Sequence, residues 1–69
     1  MNRQELNQLI EKAIEVMKKE IKGVNKIVQY QGRRFGYLDF VVNETDNMRI
    51  KDDDFNKIQI YKNNRWEDY

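Results

Sequence analysis

The chain has 69 residues, with 13 Lys/Arg against 12 Asp/Glu for a net charge of +1, and it lacks His, Cys and Pro. A chain this short forms one small domain that buries only about 60% of its unfolded surface and draws about 3–5 kcal/mol from its core; no disulfide or ordinary zinc site can add to that. Ser is missing too and Thr45 is the only hydroxyl besides the tyrosines, so Ser–His and Cys–His nucleophilic catalysis are excluded.

The first element is a helix. Leu6, Leu9, Ile10, Ala13, Ile14, Met17 and Ile21 recur at the i, i+3, i+4 spacing of an amphipathic helix. Asn2 is a favourable N-cap with Glu5 three residues on, as in a capping box. Gly23 stands past the last periodic residue, and Lys18, Lys19 and Lys22 complement the negative end of the dipole. These signals predict a helix from about residue 3 to 22. Its lysines, with Lys26, are interleaved with Glu11, Glu15 and Glu20 and read as a solvated face rather than a phosphate track.

After Gly23 the period becomes two, and β-branched and aromatic residues take over. Ile27–Gln31 and Phe35–Val42 read as a hairpin about Gly32-Arg33, pairing Tyr30 with Phe35, Val28 with Tyr37 and Ile27 with Leu38. That register puts Ile27, Leu38, Phe40 and Val42 on the helix side, where Gly36 leaves room for the helix backbone. Val28, Tyr30, Phe35, Tyr37 and Val41 fall on the other side.

The turn-rich residues 43–47 predict a five-residue loop that pairs Val42 with Met48 and Phe40 with Ile50, with Val41 opposite Arg49 and Asp39 opposite Lys51. Asp52-Asp53-Asp54 lacks the alternation and glycine of a calcium loop and reads as a solubilising loop or the cap of a short turn. Ile58–Tyr61 forms a fourth strand with both isoleucines inward. Asn63-Asn64 then turns the chain into Arg65–Tyr69. A two-residue loop sets Trp66 against Tyr61 on the far face, and a three-residue loop sets it against Ile60 in the core. The need for buried area in a small domain favours the core placement.

The octapeptide Arg33-Arg34-Phe35-Gly36-Tyr37-Leu38-Asp39-Phe40 resembles the RNP1 motif of RNA-recognition motif domains, with Arg33 at the leading basic position. The resemblance implies that Phe35 and Tyr37 stack on bases. It covers eight residues, and Arg34 stands where the motif has glycine. The chain opens on a helix, whereas that family opens on a strand.

The fold expected is α+β: one N-terminal helix packed on a four- to five-stranded antiparallel meander. The expected function is a small non-enzymatic adaptor or inhibitor that binds a protein partner, or a second copy, through the outer face of its sheet. Tyr30, Arg33, Phe35, Tyr37, Arg49 and Lys51 are the candidate contact residues, because Tyr and Arg are over-represented at interface hot spots. Single-stranded nucleic acid is the alternative ligand of the same face. No catalytic residue, cofactor, metal, small-molecule substrate or membrane contact is expected. The absence of cysteine, of a signal-peptide pattern and of an apolar run near the ~20 residues that span a bilayer leads to the expectation of a cytoplasmic protein. The abundance of Asn, Lys and Ile fits an AT-rich coding sequence, such as that of a low-GC bacterium or its phages. Charge is uneven: residues 1–35 carry eight Lys/Arg against four Glu, and residues 36–69 five against eight acids.

Overall fold

In the computed structural model, which describes residues 2–69, Asn2 caps the helix as its sequence requires. The Asn2 side chain accepts a hydrogen bond from the Glu5 amide (2.8 Å) and donates one to the Glu5 carboxylate (3.1 Å). Helix α1 runs Arg3–Glu20, two residues short of the expected end. Glycine is not its stop. The Ile21 amide still bonds the Met17 carbonyl (2.9 Å), but Ile21 itself is extended. The Lys26 ammonium turns back onto the Lys18 and Ile21 carbonyls, supplying the cation that the helix C-terminus favours. The Lys22 amide donates to the Tyr69 hydroxyl (3.0 Å), tying this corner to the end of the chain. Among the described residues, no helix is long and apolar enough to cross a membrane.

Five antiparallel strands follow: β1 (Val28–Arg34), β2 (Tyr37–Val42), β3 (Asp46–Lys51), β4 (Asp54–Lys62) and β5 (Arg65–Asp68), neighbours in that order. The expected α+β meander is what the chain forms. Helix α1 lies closest to β1 and β4. Its Ala13 and Met17, with Ile21 just past its end, are buried against Leu38, Phe40 and Val42 of β2, Met48 and Ile50 of β3, and Ile58 of β4. Fully burying each of these side chains larger than alanine contributes about 1.5–3 kcal/mol.

The first hairpin departs from expectation. Its turn is Phe35-Gly36, both at positive φ (53° and 78°), the pattern of a type I′ turn. Gly32 sits inside β1, where a bulge at Gln31 interrupts the ladder; Val28 pairs with Val42, Tyr30 with Phe40 and Arg34 with Tyr37. The pairing at Tyr30 differs from the expected one by an odd number of residues, so every side chain there changes face. Val28 and Tyr30 therefore pack towards the helix, with Tyr30 edge-on to Phe40 at 5.6 Å. Ile27, expected in the core, is 48% exposed. Burial of Tyr30 and Val28 favours this register, and Gly36 serves the turn rather than a close approach of the helix.

In the β2–β3 hairpin the loop is three residues, not five, so Leu38 pairs with Ile50, Phe40 with Met48, and Asp39 with Arg49. That correction amounts to two residues, an even number, and the core face survives it. At β4–β5, Asn63 and Asn64 both take positive φ (54° and 63°), and Tyr61 pairs with Trp66 across a two-residue loop. The core placement of Trp66 is thereby corrected: it lies on the outer face.

A phenylalanine held at positive φ is costly, since the left-handed region admits Asn or Gly far more readily. Phe35 is also 89% exposed, so no packing offsets that cost. Phe35→Asn is expected to raise stability by about 1 kcal/mol, read as a higher urea midpoint with an unchanged slope. A lowered midpoint would place the turn elsewhere.

Candidate functional site

Alternation along β2 fixes what the outer face presents. With Leu38, Phe40 and Val42 buried, Tyr37, Asp39 and Val41 must point away from the helix. The registers add Arg49 and Lys51 from β3, Gln59 and Tyr61 from β4, and Trp66 and Asp68 from β5. Among the described residues, no layer covers this side.

Its centre is a clamped arginine. The Arg49 guanidinium carbon lies 4.0 Å from the centroid of the Tyr37 ring and 4.2 Å from that of Trp66. Its Nε donates to Gln59 Oε1 at 2.8 Å, and Gln59 Nε2 donates to Asp68 Oδ1 at 3.2 Å. Trp66 meets Tyr61 edge-on at 5.3 Å, and the Lys51 ammonium stands 5.2 Å from the Tyr37 ring. Each cation–π contact contributes about 0.5–1 kcal/mol where exposed and about 2 when desolvated. Four strands thus hold one connected set of rings, guanidinium and amide in a single arrangement.

Beside the clamp the sheet is hollow. An open groove of about 660 Å³ runs along Arg34, Asp39, Val41, Asn47, Tyr61 and Trp66. A smaller hollow of about 210 Å³ shares Arg34, Asp39 and Trp66 with it and adds Phe35 and Arg49. The charges are mixed and partly spent, with Arg34 Nε 3.3 Å from Asp39 Oδ2.

Of the six candidates read from sequence, the structure gathers Tyr37, Arg49 and Lys51 on this face. Tyr30 lies on the helix side. Arg33 is held at the end of the sheet by Asp52, its Nη2 2.6 Å and its Nε 2.9 Å from Oδ2. Phe35 occupies the turn, so it does not share a strand face with Tyr37 as the RNP1 pattern requires. Trp66, Tyr61 and Gln59 were not among the candidates. The paired left-handed asparagines at 63–64 were the sequence signal that could have placed Trp66 outward. Comparison with protein-family models, with curated proteins and with solved structures returns no match.

Proposed function

We propose that the outer face of the sheet docks a protein partner, with Tyr37, Arg49 and Trp66 as its centre and Lys51, Tyr61 and Phe35 at its margin. The observation that carries this reading is the clamp itself. Arg49 occupies a face of both the Tyr37 and the Trp66 ring, and Arg33 and Arg34 are paired with carboxylates. Rings and cations engaged in this way are less free to stack on bases and neutralise phosphates. They form instead a rigid aromatic–arginine patch beside a groove, the residue types and preorganisation that dominate protein interfaces.

Salt distinguishes the two ligand classes. If Arg34, Arg49 and Lys51 met phosphates of a single strand, affinity would fall roughly 20-fold between 50 and 200 mM salt. Titration of single-stranded oligonucleotides by fluorescence anisotropy is expected to show no saturable binding, while a protein captured by the immobilised chain stays bound across that range and after nuclease treatment. Saturable oligonucleotide binding with the steep salt slope would overturn the protein reading.

A further inference from the structure

The two edges of the sheet are guarded unequally. Strand β5 has four residues, three of them charged (Arg65, Glu67, Asp68), a usual defence against unwanted strand pairing. Strand β1 has seven, and Ile27–Gly32 contains no charge and no Pro. The cations that flank this stretch are turned elsewhere: Lys26 to the helix carbonyls and Arg33 to Asp52. Val24 and Ile27, at the start of the edge, are 87% and 48% exposed.

The backbone on this edge has a definite phase. The Asn43 amide donates to the Ile27 carbonyl (2.8 Å). In an antiparallel ladder the bonded pairs alternate, so Gln29 bonds towards β2 while the amides and carbonyls of Val28 and Tyr30 point outward. No other part of the sheet lies beyond them, since β1 is terminal in the strand order.

We propose that this edge pairs antiparallel with β1 of a second copy, about a two-fold axis through Gln29. In that register Val28 stands opposite Tyr30 of the second copy, and Gln29 opposite Gln29 of the second copy. The outward phase of both Val28 and Tyr30 makes each of these symmetry-related pairs a closely bonded one. On the helix side it sets a β-branched residue against an aromatic ring, a favourable cross-strand combination. The bulge at Gln31 ends the ladder on either side. The two-fold contact uses the β1 edge of both copies and leaves only the charged β5 edges outward, which closes the assembly at two chains. A second copy fits better than an unrelated strand because one segment satisfies its own edge in register and in side chains. A core of nine buried residues among those described is also of the size for which association commonly supplements stability. The outer face remains open in both copies, so this contact does not rest on the docking role proposed above.

Sedimentation velocity of the full chain from micromolar to millimolar concentration tests it. The chain is expected to reach dimer mass. Gln29→Lys and Gln29→Glu are each expected to sediment as folded monomers, because like charges face one another at the axis, where opposed Cα atoms lie about 4.5 Å apart. Mixing the two variants is expected to restore the dimer. Gln29→Cys, the sole cysteine in its chain, is expected to cross-link on oxidation, and Lys57→Cys is not. A wild-type chain that stays monomeric, charge variants that dimerise like wild type, or a Gln29→Cys chain that fails to cross-link would each overturn the proposal. Trp66→Ala is expected to keep the dimer. If it yields monomers instead, the copies meet through the outer face and the edge contact is wrong.

Discussion

Trp66→Ala is expected to weaken partner binding by about 30- to 1,000-fold, corresponding to the roughly 2–4 kcal/mol lost when a central aromatic anchor is truncated. The indole is one wall of the Arg49 clamp (4.2 Å), meets Tyr61 edge-on (5.3 Å) and lines both hollows of the outer face. Removing it frees the guanidinium from one ring and leaves the remaining contacts to Tyr37 and Gln59. The indole lies on the outer face, outside the helix-side core, so folding should suffer by only about 1 kcal/mol, the scale of a lost cation–π and edge contact. Titration calorimetry against the purified partner, with urea unfolding alongside, separates the two effects. Binding that survives Trp66→Ala in a folded chain would remove the clamp from the interface.

Phe40→Ala is expected to leave the chain largely unfolded at room temperature. Phe40 is 1% exposed and the largest fully buried side chain, lying on β2 between Tyr30 and Met48 and beneath the helix. Truncating such a residue costs about 3–5 kcal/mol through lost transfer energy and the cavity left behind. A domain of this length has about 3–5 kcal/mol in all. Circular dichroism should lose its helical minimum without added denaturant. Phe35→Ala, by contrast, should retain it, although the two phenylalanines lie only five residues apart. Comparable losses for both would show that the hairpin turn is not at Phe35-Gly36.

The helix and the core were largely legible in the sequence, because both rest on strong local patterns. Asn2 and Glu5 mark the start, and Ala13, Met17 and Ile21 mark the buried stripe. Alternation in Leu38, Phe40 and Val42 marks the inward face of β2. The end of the helix was less legible, since its cap is the side chain of Lys26, five residues past Ile21, and no periodicity reports such a bond. The first hairpin was hidden for a different reason. Its turn takes Gly36 at the second position but Phe35, rather than Asn, at the first, and Gly32 four residues earlier offered the more familiar signal. The bulge at Gln31 then shifted the phase, moving Tyr30 and Val28 to the helix side. In the second hairpin the mistaken loop length was even in its effect, so Tyr37, Arg49 and Lys51 still fell together on the outer face. Trp66 turned on a single residue of loop length, which hydrophobicity favoured one way and the two left-handed asparagines decided the other. Register, not composition, determines which rings form the site.

That site stands or falls on which side of the sheet a partner meets. The most direct measurement is amide and indole chemical-shift mapping of the isotope-labelled chain as the captured partner is added. The docking account predicts perturbations centred on Tyr37, Arg49, Gln59 and the Trp66 indole, with the solvent side of α1 unchanged. Perturbations confined to α1, with the Trp66 indole unmoved at saturation, would contradict it.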